Sequence, residues 1–331
     1  MKALVYQGEK RLDYQEVPQP QAKDDEVVVA VESVGICGSD MHAFLGHDER
    51  RTPPLILGHE AAGTVTTGDL AGKRVTVNPL VACSTCAACM SGRENICPDR
   101  QIISMQPREG AFAELVAVPP SNLFEIPDEI PFDAAALAEP FACGWHAVRL
   151  ARRALFTPLE EATILVIGGG AIGVGAALSL LTANAGNILI SEPNAAKRDF
   201  LGRNLNLRAV DPKDIKEGSQ FDLIVDAVGF AATRSLAVAL ARPGGVIVHI
   251  GLGEGTGSLD CRRMTLQEIT FIGTYTYTNE DFRATAQAIC DGRMGALDWV
   301  EQRPLSHGQS AFEDILAGRV EAPKIILKPY E

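Results

Sequence analysis

Positive charge is scarce in this 331-residue chain: 30 lysines and arginines stand against 42 aspartates and glutamates, a formal net charge of −12 at pH 7. Such a field repels phosphate backbones and anionic bilayers, so neither nucleic acid nor a membrane is an expected partner. Long hydrophobic runs are missing too. The longest stretch without a polar side chain, residues 164–178, is shorter than a bilayer span and holds five glycines. The opening residues MKALVYQGEK carry no apolar core of a secretion signal, which makes the cytoplasm the expected location. Internal repeats and low-complexity tracts are absent as well, which excludes solenoids.

What is present is ordinary globular material, 46% hydrophobic and 22% charged, in a length that suits about two domains. Residues 27–34, 74–77 and 112–118 are β-branched or alternating and are separated by turn formers, the pattern of an irregular, mostly β domain. From residue 163 the texture changes to apolar strands alternating with Ala/Leu-rich helices, the pattern of βαβ units on a parallel sheet. The expected strands are 163–168, 187–192, 221–228, 245–251 and 269–273, with helices over 172–183 and 195–204. An amphipathic segment at 311–317 and a strand at 324–327 close the chain, and their pattern does not say which domain they join.

Eight cysteines in a reducing compartment favour metal over disulfides, and Cys83, Cys86, Cys89 and Cys97 fall in one short lobe. Four thiolates at about 2.3 Å satisfy a tetrahedral Zn²⁺ and leave no open position, which makes such a site structural; an iron–sulfur cluster or four separate core cysteines are the alternatives. A second set is dispersed: Cys37 with Ser39, Asp40 and His42, then His59-Glu60, then Glu139-Pro140. One thiolate, one imidazole and two carboxylates suit a catalytic zinc, which keeps a position for water or substrate. A third signal, Gly168-Gly-Gly170-Ala171-Ile172-Gly173, ends an expected strand and opens a helix, and Glu192 follows at the tip of the next strand. That context makes the glycines a dinucleotide-binding turn, with a pyrophosphate at the helix N-terminus.

In this order, the Cys37-Gly-Ser-Asp-x-His motif, Gly58-His59-Glu60, the four-cysteine lobe, Glu139-Pro140 and the glycine fingerprint resemble the zinc-containing alcohol/sorbitol dehydrogenases of the medium-chain dehydrogenase/reductase family. The resemblance runs over nearly the whole chain. It implies an α/β protein with a GroES-like, mostly β catalytic domain over 1–152 (zinc lobe 83–97) and a doubly wound Rossmann NAD-binding domain over 153–286. Residues 287–331 would return to the catalytic domain. It further implies two zinc ions per chain, NAD, a small-molecule alcohol substrate and a homodimer or homotetramer. Cys37 and His59 correspond to direct zinc ligands, Glu60 to a close or exchanging one, Ser39 and His42 to a proton relay. Asp40 and Lys324 correspond to a pair near the cofactor pyrophosphate, and Glu192 to the acid on the adenosine ribose. Glu139 stands where alcohol dehydrogenases place cysteine and the sorbitol branch glutamate, which favours a polyol or diol able to chelate zinc through two oxygens.

The chain departs from the family pattern in two places. The turn after Gly63 is several residues shorter, and Lys324 replaces a common arginine, which weakens a bidentate grip on phosphate. Arg50 and Arg51 read either as a solvated pair or as a site for a phosphorylated sugar alcohol; oxidation of such a substrate or of L-threonine is the alternative within the family. A zinc- and nucleotide-binding module without catalysis is the alternative outside it, and the complete ligand set speaks against that. His42 also reads as a plain surface histidine. Cys143, Cys261 and Cys290 are expected as buried hydrophobes, and His146, His249 and His307 show no partner in sequence.

Overall fold

In the computed structural model, which describes residues 1–257 and 259–331, the chain forms two compact units: Met1–Glu139 with Thr278–Glu331, and Pro140–Tyr277. In the first, the β-branched run Val27–Gly35 is the hub of a seven-stranded sheet. It pairs antiparallel with Glu60–Val65, Leu115–Val118 and Ile325–Lys328. Glu301–Pro304 extends the sheet parallel to the last of these. A smaller sheet is built on the hairpin of Lys2–Gly8 and Arg11–Glu16.

The C-terminal segment therefore belongs to the first unit, and its helix Gly308–Leu316 supplies part of the core. Phe312 packs against Phe44 with the rings tilted by 53° and 5.1 Å between centroids, and meets Phe112 edge-on at 6.0 Å. Phe44 ends the short helix Gly38–Phe44, so this aromatic cluster fixes the helix that carries Ser39, Asp40 and His42. The short turn after Gly63 is a closed hairpin, with the Gly72 N–H donating to the Val65 carbonyl at 2.8 Å.

The second unit is a six-stranded, all-parallel sheet in the order Ala209–Val210, Asn187–Ser191, Thr163–Ile167, Phe221–Asp226, Ala241–His249, Thr270–Gly273. Numbered along the chain, that is the doubly wound order 3-2-1-4-5-6. Its central strands read as unbroken apolar runs because helices cover both faces: Ile164 to Val166, Leu223 to Val225 and Val246 to Val248 have no exposure. Most expected strands and helices are present within a few residues of their expected ends. The clearest difference is at 112–118, where only Leu115–Val118 is strand; the Phe112 N–H turns instead to the Leu57 carbonyl. No helix among the described residues is long and apolar enough to cross a membrane.

Candidate active site

Sulfur geometry in the cysteine lobe is that of a closed metal site. Cys86 and Cys89 Sγ lie 3.5 Å apart, Cys83 and Cys97 Sγ 3.5 Å, and Cys83 and Cys89 Sγ 3.9 Å. A tetrahedron with bonds of about 2.3 Å has edges of about 3.8 Å, so the four sulfurs already stand at the corners a zinc ion requires. Thr85, through its N–H and hydroxyl, and the Cys86 N–H pull the Cys83 thiol down to about 6. Burial and the neighbouring sulfurs push Cys89 up to about 12. Four free sulfurs drawn this close together are what a structural zinc site looks like in its protein atoms alone.

The second set is assembled by three elements of the same unit. Cys37 precedes the helix Gly38–Phe44, and its N–H donates to Asp40 Oδ2 at 3.0 Å. His59 directly precedes the strand Glu60–Val65, which Glu60 starts, and in its register Glu60 lies opposite Gly35. A Cβ on Gly35 would sit 2.0 Å from Glu60 Oε2, so only glycine there leaves room for the carboxylate. Ligand atoms of Cys37, His59 and Glu60 all lie within 4.8 Å of one another.

Around them the charges are buried and matched. Burial opposes a charged His59 ring, yet the Asp40 carboxylate and Cys37 sulfur hold its pKa well above the usual value. His59 Nδ1 lies 3.4 Å from both Asp40 Oδ1 and Ser104 Oγ, which leaves Nε2 for a metal. A pocket that draws protons onto a buried imidazole this way is one that a divalent cation suits better. Glu139, also buried, is not among the three grouped ligands. It lies near enough to Lys324 to contribute, after Glu60 and Cys37, to raising that ammonium's pKa against its burial.

Three of the residues read from sequence stand in a setting that sequence did not suggest. Lys324, expected with Asp40 near the cofactor pyrophosphate, is engaged inside the protein. It is 3% exposed, and its ammonium donates to the Ile36 carbonyl at 2.8 Å and to both oxygens of Glu60 at 2.7 and 2.6 Å, which uses all three N–H groups. Arg50 and Arg51 are not a solvated pair. Arg50 binds Asp48 at 2.8 Å, but Arg51 is 2% exposed and hydrogen-bonded to Asp48, Ser39 and Ser104. Cys261, finally, is exposed at the start of the helix Cys261–Leu266, while Cys143 is buried and Cys290 partly so. Sequence reading missed Gly35, Ser104 and the partner of His249, whose Nδ1 lies 3.1 Å from the buried Asp226; each depends on a neighbour remote in sequence.

Ser39 and His42 stand three residues apart on one short helix, hence on the same side. Burial, His47 and Arg51 lower the His42 pKa against an opposing pull from Asp48.

In the second unit, the strand Thr163–Ile167 runs into Gly168 at φ +101°, where a Cβ would meet Val228 Cγ2 at 2.6 Å. A Cβ on Gly173 would meet the Gly168 carbonyl oxygen at 1.9 Å, so helix and loop pack as closely as glycine permits. Gly170 starts the helix Ala171–Thr182 with open space where its Cβ would be, and no side chain among the described residues caps the helix. Free N–H groups, helix dipole and room together fit a pyrophosphate over Gly170, Ala171 and Ile172. Glu192 follows the strand Asn187–Ser191 and accepts the N–H of Gly169 at 2.9 Å and of Asn194 at 2.8 Å.

Two family models match the chain: the alcohol dehydrogenase GroES-like domain over residues 23–128 and the zinc-binding dehydrogenase domain over residues 171–290. An L-galactonate-5-dehydrogenase of Escherichia coli (strain K12) is 34% identical over 311 residues, 89% of each chain. A sorbitol dehydrogenase of Bacillus subtilis (strain 168) is 32% identical, covering 99% of this chain and 97% of its own. Among solved structures, galactitol-1-phosphate dehydrogenase from Escherichia coli superposes with a TM-score of 0.88 at 25% identity, covering 99% of this chain and all of the other. Donor sets that fit two zinc ions, a Rossmann unit with an open phosphate cradle and these relatives agree, and the chain belongs to the zinc-dependent, NAD-linked alcohol/polyol dehydrogenases of the medium-chain dehydrogenase/reductase family.

Proposed function

We propose that the chain oxidises a secondary hydroxyl of a polyol or vicinal diol, reversibly, with NAD⁺ as hydride acceptor. The observation that carries this is the carboxylate-rich set of half-buried Cys37 and buried His59 and Glu60, with Glu139 close to Lys324. Glu139, where the alcohol dehydrogenase branch has cysteine, is the glutamate of the sorbitol dehydrogenase branch and suits a substrate able to chelate the zinc through two oxygens. The L-galactonate and sorbitol dehydrogenase relatives point to the same substrate class.

In this reading Cys37, His59 and Glu60 hold the catalytic zinc, Glu139 is the further carboxylate of the set, and Cys83, Cys86, Cys89 and Cys97 hold the structural one. Bound zinc supplies Lewis acidity to the alcohol, and the nicotinamide supplies the hydride acceptor. Asp40 accepts from His59 Nδ1 and keeps Nε2 the ligating nitrogen; Lys324 grips Glu60 and balances its charge inside the protein. Ser39 takes the hydroxyl proton and His42, partly exposed, passes it to solvent. Gly168, Gly170, Ala171, Ile172 and Gly173 cradle the pyrophosphate, and Glu192 selects the adenosine ribose.

The enzyme works as a homodimer or homotetramer, and its free thiols suit the cytoplasm. A phosphorylated sugar alcohol remains the second reading, favoured by the galactitol-1-phosphate dehydrogenase likeness but no longer by Arg51. Metal analysis of the purified protein tests the reading. Two zinc ions per chain are expected; a Cys37→Ser variant should stay folded, retain one zinc and lose turnover, while Cys89→Ser should lose thermal stability with its zinc. A single zinc or none in the wild-type protein would contradict it.

A further inference from the structure

Arg51 is a buried cation that the mechanism above does not use. Its guanidinium has five N–H donors, and each has an acceptor. Nε donates to the Ser104 carbonyl at 3.0 Å, and Nη1 to the Ser39 carbonyl at 3.1 Å and Asp48 Oδ2 at 2.7 Å. Nη2 donates to the hydroxyl oxygens of Ser39 at 3.3 Å and Ser104 at 3.4 Å. No hydrogen-bonding capacity is left for a substrate, and at 2% exposure the residue is out of reach of solvent.

Both serines lead into the zinc site. Ser39 lies two residues beyond Cys37. Accepting from Arg51 fixes its rotamer and occupies one lone pair, leaving the other to receive a proton and its O–H to pass one on. Ser104 is wholly buried, and its hydroxyl stands 3.4 Å from His59 Nδ1. It also holds φ +74°, a left-handed conformation that costs a residue with a Cβ and persists only when its surroundings impose it. The paired bonds from Arg51, to carbonyl and hydroxyl of the same residue, are that constraint.

We propose that Arg51 is a positioning residue of the active site. It acts through Ser39 on proton transfer and through Ser104 on the orientation of His59. The inference rests on reading Ser39 as proton acceptor and His59 as zinc ligand.

Arg51→Lys tests it, since lysine keeps the charge but offers three donors from one point and cannot span these acceptors. Loss of an outer hydrogen-bond partner at a metal site lowers activity or metal affinity by about 10–100-fold. A kcat fall of that size is expected with KM for NAD⁺ unchanged, a larger solvent isotope effect on kcat, and faster zinc loss to a chelator. Ser104→Ala should speed zinc loss while leaving the solvent isotope effect at its wild-type value. The double variant should lose zinc no faster than Arg51→Lys alone, because both act along one path. Arg51→Lys with wild-type kcat and zinc retention and only a lower Tm would overturn the inference. If Arg51→Lys does not fold, wild-type zinc retention in Ser104→Ala overturns it instead. Zinc retention is read without turnover, so failure here is distinct from wild-type protein that binds two zinc ions yet oxidises no alcohol, which would count against the function itself.

Discussion

The proposed role of Glu192 is to select the cofactor. The residue is 8% exposed and its carboxylate is fixed by the N–H groups of Gly169 and Asn194, at the tip of the second strand, where proteins of this fold read an adenosine ribose. A fixed buried anion accepts hydrogen bonds from ribose hydroxyls and repels a 2′-phosphate. NAD⁺ should exceed NADP⁺ in kcat/KM by at least about tenfold, one step of about 1.4 kcal/mol. Glu192→Ala should narrow that ratio, and equal use of both cofactors by the wild type would contradict the assignment. On the following helix, Arg198 donates to the carbonyls of Glu192 and Pro193, at 2.8 and 2.7 Å, so it braces the turn. A second carboxylate, Asp222, gives a pH signature. Burial alone would raise its pKa, but the N–H and hydroxyl of Thr163, the Thr157 hydroxyl and Arg242 hold it at about 2 against the ordinary 3.8. The folded pKa is depressed, so its contribution is complete above the unfolded value and is lost as the pH falls toward the folded one. The Tm advantage of wild type over Asp222→Asn should therefore be widest near neutrality and close between about pH 4 and about pH 2. A gap independent of pH would show that the carboxylate's charge is not what matters. Single residues were also where sequence reading failed most: adjacent Arg50 and Arg51 look alike on paper, and the contacts of Arg51 with Ser39 and with Ser104, far along the chain, separate a braced guanidinium from an exposed one.

Elements were far more legible than residues, for a reason visible in the second unit. The central strands there are buried on both faces and read as apolar runs, and the glycine turn is punctuation with one geometric meaning. The cysteine lobe was legible because its ligands lie within one loop; the His59–Asp40–Ser104 contacts were not, because three separate segments supply them. The contact of Lys324 with Glu60 was not legible either, since the register that sets Ile326 opposite Gly35 is a property of the folded sheet. One element-scale prediction follows from the glycine turn. A Cβ at Gly173, 1.9 Å from the Gly168 carbonyl oxygen, must push the helix Ala171–Thr182 off the strand that feeds it. Gly173→Ala should weaken NADH binding in a fluorescence titration while leaving the zinc content at the wild-type value. Unchanged NADH affinity would mean that the close approach of helix and loop is not what forms the cradle.

At the scale of the whole molecule, the chain divides the chemistry between its two units. One, closed by the returning C-terminal strand, carries both metal-ligand sets; the other carries the dinucleotide turn. The net charge of −12 fits a neutral polyol better than a phosphorylated one, in line with an Arg51 that has no donor to spare. The most direct measurement is kcat/KM of the zinc-loaded protein with NAD⁺ for small vicinal diols and polyols, set beside ethanol and a sugar-alcohol phosphate. Diols or polyols should be oxidised fastest, because a substrate with two neighbouring hydroxyls can chelate the zinc that the Cys37, His59 and Glu60 set would hold. A lead for ethanol and other primary monoalcohols would contradict the assignment of this chain to polyol oxidation.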